Sequence, residues 1–254
     1  MQSIPKQKKF WEFKASADDV GELYIYGDIV SWKWDDEDTT ANSFKDDLKA
    51  LGEIKTLNLY INSLGGSVFQ AQAIYSILKR HSAQKNVYVD GVAASAASMI
   101  AMAGDKVSMP ANAMMMIHWP WTFAYGNAKE FRKMADDLDK IGQSTVAAYM
   151  AKLDGKTAEE KLSELLDDET WLTAQECFDY GFCDELLEEK KIAASVSTEL
   201  FAHYKNVPEE IKEILEKVND HDKGECRLDK DRREKLVKEC RQDDETINLI
   251  LGVI

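Results

Sequence analysis

Two patterns of apolar and polar positions alternate along about the first 120 residues. Short blocks in which apolar residues alternate with polar ones, or stand together between glycines and charged residues, predict strands. These blocks lie at 23–29, 56–61, 87–89, 106–109 and 114–117. Apolar residues three to four positions apart predict helices at 42–51, 68–79 and 94–102. Because strands and helices alternate, the chain is predicted to form an α/β fold with mainly parallel strands.

Helical patterns dominate the next part of the chain. A long one covers 128–152, where apolar residues recur every three to four positions. Two shorter helices are predicted at 157–166 and 173–180, and Gly181 closes the second of them.

The composition changes near Leu187, which suggests a boundary. Beyond it the chain is mostly charged and polar, with an acidic amphipathic pattern at 208–219. We predict an N-terminal segment (residues 1–22), a central domain (residues 23–187) and an acidic, mostly helical C-terminal extension (residues 188–254). Removing the extension is expected to leave the central domain folded and its chemistry intact.

Charge and composition exclude several classes of function. The 254-residue chain has a formal net charge of −14, so nucleic acid and anionic membrane surfaces are not expected partners. No apolar run reaches membrane-spanning length, and the N-terminus lacks the apolar stretch of a signal peptide. The four cysteines lack zinc-site spacing. We therefore expect a cytoplasmic protein with free thiols and no metal or other cofactor.

Three features fit acyl transfer by a serine, which needs an exposed hydroxyl at a sharp turn, a base within reach and amide donors for the oxyanion. Ser95 lies between a predicted strand and a helix of small residues, with Ser98 one turn further on as a competitor. His118 ends an apolar strand just before a proline. Gly65 and Gly66 follow another strand. Each feature alone is also typical of ordinary packing, but together they indicate one chemistry.

Four ordered motifs resemble those of the ClpP-type serine peptidases. YINSLGGSV at 60–68 resembles their YINSPGG segment, and GVAAS at 91–95 resembles their GxAAS nucleophile motif. MIHWP at 116–120 resembles MIHQP, and the stretch 172–184, from LTAQE through YG to Asp184, resembles LSAxEAxxYGLxD. The resemblance extends over residues 23–187.

The resemblance implies a set of roles and a fold. Ser95 would be the nucleophile, His118 the general base, and the amides of Gly66 and Ala96 the oxyanion hole. The implied fold is the crotonase-like ββα superhelix, here with a C-terminal helical appendage. The implied assembly is a homo-oligomeric ring, single or stacked, that cleaves proteins and peptides. A strand and helix at 124–152 would join two rings.

The third member of the triad departs from the family pattern. The position two residues before Trp171 matches the family's aspartate, and Glu169 stands there. We favour Glu169 over the neighbouring Asp168 as the acid that orients His118, since glutamate fills this role in some hydrolases. The alternative is that the acidic cluster, with Asp167, only solvates a loop.

Other departures concern the biological role. Leu64 replaces the family's proline, the extension has no counterpart in housekeeping members, and their basic N-terminal loop is not found. In these respects the chain is similar to the head-maturation proteases of phages and prophages, which cut scaffold and capsid proteins. The alternatives are a housekeeping proteolytic subunit served by a Clp-type ATPase, a crotonase-like acyl-CoA hydratase, and a non-catalytic ring subunit.

Overall fold

The computed structural model describes residues 9–16, 19–30, 40–189 and 204–208. All of them belong to the first of the chain's two units, residues 1–209. The second unit, residues 210–254, lies outside the described residues, and so does the helix predicted at 208–219 apart from Pro208.

Eight strands and six helices follow one another in the described ranges. The strands are β1 (Trp11–Ala15), β2 (Val20–Tyr26), β3 (Thr56–Ser63), β4 (Gln84–Ala94), β5 (Lys106–Pro110), β6 (Met114–Ile117), β7 (Thr170–Thr173) and β8 (Glu185–Leu187). The helices are α1 (Ala41–Ala50), α2 (Val68–Arg80), α3 (Ala96–Ala101), α4 (Ala128–Leu153), α5 (Glu159–Asp167) and α6 (Ala174–Tyr180).

All eight strands form one sheet in the order β1-β2-β3-β4-β5-β8, with β6 paired to β4 and β7 paired to β6. Pairing is parallel everywhere except between β1 and β2 and between β6 and β7. The prediction of an α/β fold with mainly parallel strands is confirmed.

The core follows directly from the sequence pattern of β3 and α2. Alternate β3 side chains, Leu57, Leu59 and Ile61, are buried on one side of the sheet. The apolar face of α2, including Ile74 and Leu78, is buried in the same hydrophobic cluster. Ser67 caps the start of α2, so this helix begins directly after the glycine loop at 64–66.

Strand β4 changes its partner along its length, and this change builds the site. Its residues 86–88 pair with β5, whereas residues 92–94 pair with β6. Because β4 and β6 run parallel and Ala94 pairs with Met116, the residues after the two strands emerge side by side. This arrangement places Ser95 and His118 side by side at the carboxyl ends of β4 and β6.

The structure differs from the sequence-based expectation in the lengths of several strands. Only 87–89 was expected to be a strand in the region where β4 extends over 11 residues. The small residues at its end have weak strand propensity, and they are held by ladders to β3 and β6 instead. The sheet also begins before Leu23, because β1 pairs with β2 over its full length.

The strand that the family resemblance implied near Ala124 is absent. Residues 118–127 contain neither helix nor strand, and α4 begins after Asn127. Asn127 and Glu130 form a capping box that fixes this helix start. No helix within the described ranges has the length and apolar character needed to cross a membrane.

Candidate active site

Ser95 occupies a sharp turn between β4 and α3. Its backbone has φ 52° and ψ −124°, in a region that non-glycine residues rarely adopt. The Ser95 amide donates to the carbonyl of Met116 at 2.8 Å, which ties the turn to β6. Ser95 is partly exposed, whereas Ala94 and Ala96 on either side are buried. The strained turn therefore presents one hydroxyl, a geometry that is also found where nucleophilic serines stand between a strand and a helix.

His118 follows β6 and lies within hydrogen-bonding distance of this hydroxyl. Its Nε2 is 2.7 Å from Ser95 Oγ. Burial lowers the pKa of His118, and the nearby Glu169 carboxylate partly opposes that effect. The imidazole is therefore neutral near pH 7 and can accept a proton.

Of the three neighbouring acids, Glu169 is the one whose carboxylate faces His118. Glu169 Oε2 lies 3.8 Å from His118 Nδ1, and both side chains are largely buried. This separation is longer than a hydrogen bond, so the carboxylate acts on the ring through its charge. Asp167 instead accepts a hydrogen bond from the Trp119 indole at 2.6 Å, and Asp168 is exposed. The geometry thus favours Glu169 as the partner of the histidine.

The glycine pair lies against the Ser95 turn and leaves no room for side chains. Gly65 and Gly66 have φ of 98° and 138°. A Cβ on Gly65 would lie 2.6 Å from the Ala94 carbonyl oxygen, and one on Gly66 would lie 2.3 Å from that of Ile29. Glycine is therefore required at both positions.

The amides expected to form an oxyanion hole border the same cavity as Ser95. Gly66 and Ala96 both line it. Among the hydrogen bonds of the described residues, neither of these two amides is a donor. Their N–H groups are thus available to an oxygen that enters the cavity.

Ser98, the competing serine, is occupied elsewhere. Its hydroxyl donates to the carbonyl of Ser95 at 2.6 Å and lies 2.7 Å from the Tyr149 hydroxyl. The residue is fully buried. Ser98 thus braces the turn that carries Ser95.

A cavity of about 430 Å³ opens beside Ser95 and His118. Helices α3 and α4 supply apolar side chains to its wall, among them Met99, Leu138 and Ile141. The cavity is large enough for an apolar amino-acid side chain next to the serine.

Sequence reasoning missed Tyr204, which it assigned to the C-terminal extension. Tyr204 is only 9% exposed and lines the cavity. Its hydroxyl donates to the Leu64 carbonyl at 2.5 Å, and its ring lies edge-on to the ring of His118. A single tyrosine outside the recognised motifs gives no sequence signal of such a contact.

Comparison with known proteins points to one family. The family model described as Clp protease matches residues 15–190. The chain is 33% identical over 159 residues to an ATP-dependent Clp protease proteolytic subunit of Bacteroides fragilis, covering 61% of this chain and 76% of that protein. It is 32% identical over 161 residues to the protein of the same name from Bacteroides thetaiotaomicron, covering 61% and 71%. It is 33% identical over 147 residues to the one from Ligilactobacillus salivarius, covering 57% and 73%.

Proposed function

The chain belongs to the Clp protease family, and we propose that it is a serine endopeptidase that works through an acyl-enzyme on Ser95. The observation that carries this proposal is the 2.7 Å contact between Ser95 Oγ and His118 Nε2. A neutral histidine in hydrogen-bonding contact with an exposed serine at a strained turn is the arrangement that activates a hydroxyl.

In the first half of the reaction, Ser95 Oγ attacks the carbonyl carbon of the peptide bond as His118 Nε2 takes the hydroxyl proton. The carbonyl oxygen becomes an oxyanion, to which the amides of Gly66 and Ala96 donate hydrogen bonds. The Glu169 carboxylate stabilises the imidazolium. His118 then gives its proton to the leaving amine nitrogen, the C–N bond breaks, and the acyl group stays on Ser95.

In the second half, water replaces the amine. His118 takes a proton from the water as its oxygen attacks the ester carbon. The second tetrahedral intermediate collapses, the bond to Ser95 Oγ breaks, and His118 returns the proton to the serine. The carboxylic acid product leaves. The apolar wall of the cavity supports a preference for an apolar side chain at the residue that donates the acyl group.

A fluorophosphonate probe tests the assignment, because it labels only an activated serine. Ser95→Ala should abolish labelling and peptide cleavage and leave the thermal unfolding curve close to that of the wild type. Ser98→Ala, the matched control, should still be labelled. Labelling that survives in Ser95→Ala would refute the proposal.

The acyl-CoA hydratase alternative has less support. That chemistry uses paired amides and carboxylates and needs no serine–histidine contact, whereas here the contact is short. The match to the Clp protease model also favours a peptidase. Both catalytic candidates are present, which argues equally against a non-catalytic subunit.

For the assembly and the biological role, we propose a homo-oligomeric ring that degrades protein substrates. The relatives' name, ATP-dependent Clp protease proteolytic subunit, supports delivery of substrates by a Clp-type ATPase. Cleavage of phage scaffold and capsid proteins stays a prediction from the departures at Leu64 and in the extension. Degradation of a folded substrate that requires ATP and an added Clp ATPase would support the first role. Defined cuts in co-expressed capsid proteins without ATP would support the second.

A further inference from the structure

The five residues 204–208, here called the 204–208 segment, lie against the proposed active centre although they come late in the chain. The segment and the active centre belong to the same unit, residues 1–209. Tyr204 contacts the loop at Leu64 and the ring of His118. Lys205 and Asn206 contact the acidic stretch 168–169. The segment therefore touches both the histidine and the carboxylate that faces it.

The two carboxylate oxygens of Glu169 have different partners. The backbone amides of Lys205 and Asn206 both donate to Oε1, the second of them at 3.3 Å. The other oxygen, Oε2, faces His118 Nδ1. Two amide donors on one oxygen restrict the rotation of the carboxylate.

The backbone at Glu169 also depends on outside support. Its φ is 48°, a left-handed conformation that is costly for a residue with a side chain. The Asn206 side-chain amide donates to the carbonyl of Asp168 at 2.7 Å, directly before this turn. The 204–208 segment thus holds both the main chain and the side chain of the acid.

Tyr204 anchors the same segment on the other side of the histidine. It is buried in a small apolar cluster with Leu64, Val92 and Met116, against which Trp171 packs. This cluster connects the glycine loop to the strands that carry Ser95 and His118. Tyr204 therefore fixes where the amides that follow it lie.

We propose that the 204–208 segment is a positioning element of the active site, in which the amides of Lys205 and Asn206 hold the Glu169 carboxylate toward His118. The inference rests on the proposed peptidase function. It changes the expectation for truncation after Leu187, because that truncation removes a support of the acid as well as an extension.

The open cavity argues against the alternative that the segment is an inhibitory strap. Space of about 430 Å³ remains beside Ser95, with Tyr204 as part of its wall. The Ser95–His118 contact is intact, and the Gly66 and Ala96 amides donate to no residue that the structure describes. The Tyr204 hydroxyl also lies within hydrogen-bonding reach of the Ser95 side chain, and this contact leaves the Ser95–His118 contact in place. Loss of the segment's contacts should therefore slow the enzyme.

The test is a double-mutant cycle in the full-length chain, measured on a short fluorogenic peptide. Lys205→Pro removes the amide donor to Glu169, and Lys205→Ala keeps it. We expect Lys205→Pro to lower kcat by roughly 10- to 100-fold with little change in KM, as when outer partners of an essential ligand are removed. Lys205→Ala should lose far less. In a Glu169→Gln background, Lys205→Pro should cause almost no further loss, because its effect runs through that carboxylate.

Equal losses from Lys205→Pro in both backgrounds, or a higher kcat, would overturn the inference. If Lys205→Pro fails to fold by circular dichroism, Asn206→Ala replaces it, since this change removes only the side-chain bond to Asp168. It should lower kcat several-fold in the wild type and much less in Glu169→Gln, and equal losses would again overturn the inference. Failure of the proposed function is distinguishable, because then Ser95→Ala itself would retain activity.

Discussion

Replacing Glu169 with glutamine tests how much of the catalysis depends on the acid. The substitution keeps the size of the side chain and removes its charge. It also replaces one carboxylate oxygen, which either accepts from the Lys205 and Asn206 amides or faces His118 Nδ1, with an amide donor. The charge of Glu169 matters most when His118 becomes an imidazolium, which happens during attack by Ser95.

The magnitude follows from the geometry. Opposite unit charges 3.8 Å apart attract by about 4 kcal/mol at an effective dielectric constant near 20. If this attraction is lost from the transition state, kcat falls by roughly 10³-fold. An imidazole left in the wrong tautomer would bring the loss to about 10⁴-fold, as in other serine proteases. We therefore expect kcat to fall by 10³- to 10⁴-fold on these grounds, with KM little changed.

The assay is steady-state hydrolysis of one small peptide ester by Glu169→Gln and by Asp168→Asn. The control changes an exposed acid in the same cluster and should alter kcat little. The pH profile gives a second readout. Because Glu169 raises the pKa of His118, its removal should shift the acid limb of kcat/KM to lower pH.

A severe loss in Asp168→Asn with near-normal Glu169→Gln would move the role to Asp168. Near-normal rates in both variants would mean that Ser95 and His118 act as a dyad.

Three further predictions concern other parts of the molecule. In the wild type, the rate should fall with acid only below the usual histidine pKa of 6.5, because burial favours neutral His118; a limb at higher pH in kcat/KM would contradict this. Gly66→Ala should lower kcat at least 100-fold, since its Cβ would meet the Ile29 carbonyl. The control Gly52→Ala, also at positive φ but with open space around it, should lower only the stability seen in thermal unfolding. Phe131→Asp should reduce the particle mass in light scattering, because this half-exposed ring and the exposed Met134 lie three positions apart on α4 and could be covered by another subunit. An unchanged mass would exclude Phe131 from the interface.

The parts of the fold with strong local patterns were predictable from the sequence. The buried alternation of β3 and the amphipathic face of α2 are read directly from residue types. Strand β4 was not, because its last residues are small and owe their extended form to hydrogen bonds with two neighbouring strands. Ladder partners distant in sequence leave no mark on local propensity. The strands β7 and β8 escaped prediction because four and three residues are too few to show an alternating pattern.

The candidate site was likewise only partly predictable from the sequence. Ser95, His118 and the glycine pair stand at predictable strand ends, and the structure brings them together. The sequence favoured Glu169 over Asp168 by its position before Trp171. The direction of each carboxylate depends on the left-handed turn at Glu169, which the residue types do not encode. The Glu169 carboxylate also accepts from the Lys205 amide, 36 residues away in the chain. A main-chain donor has no residue type of its own, so no motif encodes it. The acid and its support must therefore be tested as a pair, because a change at either end acts on the same carboxylate.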